Sequence, residues 1–128
     1  MSFTVPPVVQ STEAAKLVLT KTAGENISAL KIVRLTASDN YVLADEVTYN
    51  EALAIGVALN AASTGQQVRA LTLGILEDAF FTFPLNTLLY LGSNGTITDT
   101  VPATHRVRLG YSLGPGAIFV KIEEPIIL

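Results

Sequence analysis

Short runs of alternating apolar and polar residues, separated by turn-forming residues, recur along this chain from residue 16 onwards. The segment KLVLTK at 16–21 alternates, and KIVRLT at 31–36 resumes the alternation after the turn-like AGEN at 23–26. A further apolar segment, YVLA at 41–44, follows the turn signal SDN at 38–40. Alternation with a period of two residues is typical of β-strands. These patterns predict three strands joined by turns.

The middle of the chain predicts two more strands with a loop between them. AIGVAL at 54–59 combines β-branched residues with Gly56, which favours a strand over a helix. NAASTGQQ at 60–67 is then a surface loop that leads into VRALTLGILE at 68–77. In that strand we predict a core face with the apolar residues Leu71, Leu73 and Ile75, and Gly74 on the other face as the mark of a bulge.

The last third of the chain alternates between β-rich runs and glycine turns. Asn94-Gly95 separates LLYL from TIT, and Asn-Gly between such runs is typical of a hairpin. HRVRLGYSL and AIFVKIEE flank Gly114-Pro115-Gly116, which predicts two more antiparallel strands. Val, Ile and Thr make up 35 of the 128 residues, and no long amphipathic pattern interrupts the strands. The sequence predicts an all-β fold, a small barrel or sandwich.

The first fifteen residues differ from the rest. Pro6 and Pro7 enforce an extended backbone, and the apolar residues around them lack helical spacing. We therefore predict an extended N-terminal arm over residues 1–15 and a single β-barrel domain over 16–128. The arm contains little charge, whereas disordered tails are usually charged and polar, so we expect it to dock on a neighbour.

The composition predicts that this domain associates with other chains. Only 15% of the residues are charged and 49% are hydrophobic, with a mean hydropathy of +0.45. A domain of this size leaves roughly a third of its unfolded surface exposed, so part of an apolar surface should be covered by partners. The net charge of −3 argues against nucleic acid as a partner, because binding to phosphates needs clustered Lys and Arg.

The sequence lacks the residues that metal sites usually need. The chain has no cysteine and one histidine, so we expect no metal and no cofactor. The adjacent carboxylates at 45–46, 77–78 and 123–124 point to opposite faces of a strand and are interpreted as solvated strand ends. The start of the chain does not fit a signal peptide, and the uncharged window 79–98 contains proline, glycine and asparagine, so we expect no membrane association.

One motif is shared with an enzyme class. Gly110-Tyr111-Ser112-Leu113-Gly114 fits the G-x-S-x-G pattern of the nucleophile elbow, a strand-to-helix turn that exposes a serine. A turn and a strand-like segment follow it here, and the only histidine, His105, precedes the serine. We interpret the motif as a glycine-bracketed hairpin and expect no enzyme; a small serine esterase using Ser112 stays as an alternative. His105 is predicted to be an exposed polar residue.

Two stretches resemble a known family. AGENIS at 23–28 leading into KIVRL, and AIGVALNAASTGQQVRALTLG at 54–74, are similar to small capsid decoration (cement) proteins of tailed bacteriophages. The family's G-V-A-x-x-x-A-x-x-G-x-x-V pattern is matched by Gly56, Val57, Ala58, Ala62, Gly65 and Val68. LYLGSNGTITDT and LGYSLGPGAIFVKIEEPI resemble segments of tailed-phage virion proteins, including tail-fibre proteins. Together these stretches cover about residues 23–127.

The resemblance implies a β-tulip or β-clip barrel and a non-enzymatic role on the capsid surface of a virion assembled in the host cytoplasm. It implies a homotrimer whose arms contact the major capsid protein. A tail-fibre or baseplate module and a carbohydrate-binding module are the alternatives. From the residues themselves, the apolar C-terminus is expected either to pack on its own domain or to lie at a subunit contact. The residues expected at capsid or subunit contacts are Phe3, Val5, Pro6, Pro7, Val8, Ile126, Ile127 and Leu128.

Overall fold

The computed structural model describes residues 16–127, which fold almost entirely into β-structure, as the sequence predicts. Within these residues, a 3-10 turn spans Ser93–Gly95. The strands are β1 (Leu17–Ala23), β2 (Ile32–Leu35), β3 (Asn40–Leu43), β4 (Ala54–Ala58), β5 (Gln67–Glu77), β6 (Leu88–Leu91), β7 (Ile97–Thr98), β8 (His105–Arg106), β9 (Arg108–Ser112), β10 (Ala117–Lys121) and β11 (Ile126–Ile127). The predicted arm, residues 1–15, lies outside the described residues.

The first five strands close into a barrel. Their order is β1-β3-β2-β4-β5, and β5 returns to pair with β1 from Thr22↔Gln67 to Leu17↔Leu73. All neighbouring strands in this ring are antiparallel except β1 and β3, which pair in parallel through Thr22↔Asn40 and Ala23↔Tyr41. Closure gives each of these strands partners on both edges, so the barrel presents few unpaired backbone groups. The predicted small β-barrel is confirmed.

The interior of the barrel is filled by small side chains around one large one. Tyr41 is fully buried, and its hydroxyl donates a hydrogen bond to the carbonyl oxygen of Leu19 at 2.9 Å. Burial raises the pKa of Tyr41 above its ordinary value of 10.0, and the nearby charge of Asp39 adds to the effect. A five-stranded barrel has little internal space, which explains the many alanines. The buried cluster comprises Ala23, Ile27, Val33, Tyr41, Ala58, Ala62, Val68 and Ala70.

A second core covers the outside of the barrel. The sheet continues from β5 through β10, β9, β6 and β7, and this extension packs against the outward-facing residues of β2, β4 and β5. Adjacent residues in these strands are therefore buried on opposite faces, as in Ile32-Val33, Val57-Ala58 and Ala70-Leu71, which explains the short apolar runs in their sequences. The cluster comprises Ile32, Ala44, Ala52, Val57, Leu71, Phe81, Leu89, Leu91, Val107, Leu109, Ile118 and Val120.

A bulge in β5 changes which face of the strand is buried. Val18 pairs with Leu71 and Leu17 pairs with Leu73, so Thr72 is an extra residue. The hydroxyl of Thr72 donates to the carbonyl oxygen of Leu17 at 3.2 Å. An extra residue reverses the alternation of side chains beyond it. Leu71 is therefore buried, whereas the odd-numbered side chains from residue 73 onwards face the solvent.

The predicted core face of β5 is thus wrong at two of its three positions. Leu73 and Ile75 are 39% and 43% exposed, whereas Leu71 is buried at 1%. The bulge was expected at Gly74, but the structure places it at Thr72. Gly74 is buried and pairs with Val120. The strand bounds themselves, Gln67–Glu77, agree with the prediction to within one residue.

Candidate interaction surfaces

The described end of the chain adds a strand to its own domain and keeps its side chains exposed. Ile126 pairs with Arg106 and Ile127 pairs with His105, so β11 and β8 form a two-stranded sheet. Ile126 is 46% exposed and Ile127 is 72% exposed. The backbone is therefore docked, while both large side chains stay available for contact with another molecule. The other residues expected at contacts, Phe3, Val5, Pro6, Pro7, Val8 and Leu128, lie outside the described residues.

A larger apolar surface covers the solvent side of the sheet extension. Cross-strand pairs place Ile75 beside Phe119, Phe119 beside Tyr111, and Tyr111 beside Leu88, so the side chains form one row across four strands. Leu73 and its partner Leu17 continue the surface beside this row. We call this surface the open sheet face; its residues are Leu17, Leu73, Ile75, Leu88, Tyr111 and Phe119.

The open sheet face is accessible rather than covered by other parts of the described chain. Five of its residues are between 39% and 51% exposed, and Phe119 is half-buried. The rings of Tyr111 and Phe119 are 5.5 Å apart between centroids and tilted by 52°, a geometry that favours a fixed aromatic pair. The sequence pattern LTLGILE predicts Leu73 and Ile75 in the core, and the bulge at Thr72 turns both side chains to the solvent instead.

Two opposite charges lie at opposite ends of this face. Lys121 pairs with Leu73 on one side of the central row, and Glu77 pairs with Ala117 on the other side. Both side chains are exposed. They are separated by four residues along the strands, or about 13 Å, so they do not neutralise each other within one chain. The face therefore has an apolar centre, one positive end and one negative end.

Ser112 closes a hairpin. The residue is fully buried, and its hydroxyl donates to the carbonyl oxygen of Phe83 at 2.9 Å and accepts from the backbone N–H of Gly114 at 3.0 Å. The strand β10 begins at Ala117, directly after the turn, where a nucleophile elbow needs a helix. This geometry corresponds to the predicted glycine-bracketed hairpin and leaves the serine hydroxyl engaged with backbone groups.

His105 is buried, not exposed as expected. It is only 8% accessible, and its Nδ1–H donates to the carbonyl oxygen of Glu46 at 3.0 Å. The ring of Tyr49 approaches it edge-on, with centroids 6.4 Å apart. Glu46 lies in a loop 59 residues earlier in the chain, so the residues around His105 carry no local sign of this contact. The histidine fastens the loop before β4 to the short sheet of β8 and β11.

The carboxylates that carry contacts hold loops in place. An oxygen of Asp45 accepts from the N–H of Asn94 at 3.1 Å, and one of Asp78 accepts from the N–H of Phe80 at 2.8 Å. Glu123 lies 3.8 Å from Arg108, at a partly exposed ion pair. Among residues 16–127, no group of three or more His, Asp or Glu side chains could hold a metal ion.

Two cavities lie at the surface of the described region. One of about 330 Å³ is lined mainly by apolar groups, including Leu30, Ile97 and the 69% exposed Phe80. Another of about 350 Å³, near Asn26 and Gln66, opens widely to solvent. The first cavity lacks the convergent polar groups that are typical of small-molecule sites, and the second, although lined by polar residues, is too open to enclose a ligand. Within residues 16–127, the structure also contains no helix with the length and hydropathy needed to cross a membrane.

Comparisons with protein-family models and with curated proteins find no match to this chain. The accessible surfaces of residues 16–127 described above are of two kinds. They consist of an apolar sheet face and an apolar terminal strand, and the titratable side chains described above support backbone segments. Such an arrangement suits contact with other macromolecules.

Proposed function

We propose that this chain is a non-enzymatic virion structural protein of a tailed bacteriophage. In this role it is a capsid decoration protein that binds the outside of the assembled shell and links neighbouring subunits of the major capsid protein. The observation that supports the proposal is the motif resemblance between residues 54 and 74. Those residues form β4, a surface loop and β5, and thus two neighbouring walls of the barrel.

The motif residues have physical roles that suit this fold. Val57 contributes to the outer core, while Ala58, Ala62 and Val68 contribute to the barrel interior. Gly56 allows close approach of the strands, because a Cβ there would lie 2.9 Å from the carbonyl oxygen of Leu71. The pattern thus encodes barrel packing, and the assignment to the capsid rests on the resemblance to decoration proteins.

Decoration would work by mass action. A protein that binds the assembled shell and not the free subunits shifts the equilibrium towards the shell, by an amount that grows with occupancy. Each contact can then be weak, because many copies act on one particle. The exposed side chains of Ile126 and Ile127 support such contacts, and we propose that residues 1–15 supply further ones on the major capsid protein. The proposed oligomer on the shell is a homotrimer.

The deciding experiment is the copy number of this chain per purified virion, relative to the major capsid protein, by quantitative mass spectrometry. A ratio near one copy per capsid subunit is expected for a decoration protein. A few copies per particle would replace the proposal with the tail-fibre or baseplate role. Absence of the chain from purified particles would overturn both virion roles.

A further inference from the structure

The open sheet face lacks the polar side chains that usually cover the outside of an antiparallel sheet. One face of such a sheet normally packs on the core, while the other face carries polar residues in contact with water. Here the row Ile75, Phe119, Tyr111 and Leu88 is apolar or aromatic on the solvent side as well. Side chains exposed to this extent form a patch of roughly 400 Å², which is a size associated with interaction sites.

The position of the charges distinguishes between occupants. Lys121 and Glu77 lie at opposite ends of the face, with the apolar row between them. Rotation of a second copy by 180° about an axis parallel to the row places the end with Lys121 over the end with Glu77. Rotation about an axis parallel to the strands would instead place equal charges over each other. The first arrangement is self-complementary in charge and in hydrophobicity.

We propose that the open sheet face binds the same face of a second copy of this chain, in an isologous pair with its two-fold axis along the row. Ile75 and Phe119 of each copy then face the same residues of the other copy. The two sheets lie about 10 Å apart, as is typical of packed sheets. Lys121 of each copy reaches Glu77 of the other, and symmetry forms this ion pair twice.

The expected affinity follows from the size of the face. A standard interface buries about 800 Å² on each partner, and the apolar centre supplies about half of that. The rim with Lys121 and Glu77 must supply the rest, so we expect a pair that dissociates at micromolar rather than nanomolar concentrations. This pairing goes beyond the proposed capsid role and does not depend on it. Alone it gives dimers, and combined with a three-fold contact it gives hexamers.

The test is the assembly mass of the full chain by sedimentation velocity over a concentration series. We expect even-numbered assemblies, either dimers or hexamers. Ile75→Glu should halve the mass, because it places a charge in the centre of the interface. Leu53→Glu is the matched control: Leu53 has the same exposed fraction of 43% but precedes β4, outside this face. The control should leave the mass unchanged. Far-ultraviolet circular dichroism shows whether each variant is folded.

A charge exchange tests the axis without touching the apolar row. Lys121→Glu and Glu77→Lys should each weaken pairing about fivefold to tenfold, because each places like charges in contact at two symmetric positions. The double variant should restore pairing, since the charges are exchanged but remain opposite. This series remains informative even if Ile75→Glu does not fold.

Three results would overturn the proposal. The first is a monomer or trimer at every concentration, and the second is an unchanged mass for folded Ile75→Glu. The third is a double variant that pairs no better than the single variants. If the full chain is a monomer but a chain lacking residues 1–15 forms pairs, the occupant of the face is that N-terminal segment and not a second copy. None of these results depends on whether the chain binds a capsid.

Discussion

At Gly110, the backbones of β9 and β10 lie too close together for a side chain. Its φ is +142°, and a Cβ built there would overlap the carbonyl oxygen of Phe119. Gly114 also has a positive φ, of +109°, but a Cβ there meets nothing within 4 Å. A side chain at Gly110 would therefore meet both a steric clash and backbone strain, whereas a side chain at Gly114 would meet backbone strain alone.

We predict that Gly110→Ala lowers the free energy of unfolding by about 3 kcal/mol or more, because clash and strain add. Gly114→Ala should cost only about 1–2 kcal/mol, since strain acts alone. Urea titrations followed by circular dichroism give both values. Equal losses for the two variants would show that the strands separate easily at Gly110, contrary to the paired register of Gly110 with Val120.

At the residue scale, the sequence predicts the hairpin around Ser112 but not the burial of His105. The glycine-bracketed Ser112 was correctly interpreted as part of a hairpin, because the local turn chemistry of Gly114-Pro115-Gly116 is visible in the sequence. The burial of His105 could not be predicted, because its partner is the backbone oxygen of Glu46, which long-range folding brings to it. Contacts between distant backbone segments leave no mark on either residue's neighbours in the chain.

At the scale of the element, β5 is the strand on which both halves of the fold depend. Its first half pairs with β4 and β1 in the barrel, and its second half pairs with β10 in the extension. The alternation of its side chains predicted the strand but not the bulge at Thr72, because threonine is also a common residue in regular strands. One unrecognised extra residue is enough to assign Leu73 and Ile75, two residues of the open sheet face, to the core.

The bulge makes a sharp prediction about two leucines two residues apart. Leu71→Ala should lower the free energy of unfolding by about 2–5 kcal/mol, because it leaves a cavity in the outer core. Leu73→Ala should cost less than about 1 kcal/mol, since the side chain is partly solvated. Both are measured by urea unfolding of dilute protein, where copies do not associate. A regular strand without a bulge would give similar losses at both positions.

At the scale of the whole molecule, local patterns predicted the strands, and the resemblance to decoration proteins added a specific barrel type. What neither gave is the order of the strands. The barrel closes through a parallel pair, Thr22↔Asn40 and Ala23↔Tyr41, and parallel pairing has no signal in short-range alternation. The second core on the outside of the barrel was likewise not predicted. It required Leu71 to be matched with side chains from β6, β9 and β10, which the sequence leaves far apart.

The final prediction concerns residues 1–15, which precede the strands of the barrel in the chain. Within residues 16–127, the strands from β1 onwards close the barrel, and Ala23 is the first residue along the chain that belongs to either core cluster. A chain that begins at Lys16 should therefore keep its circular dichroism spectrum, and its free energy of unfolding should change by less than about 1 kcal/mol. If the proposed decoration role is right, the same chain should no longer co-sediment with purified capsids stripped of the protein, whereas the full chain should.

Failure of the shortened chain to fold would show that residues 1–15 belong to the core. Undiminished capsid binding by a folded shortened chain would move the capsid contact to the apolar surfaces of the domain, first of all to Ile126 and Ile127.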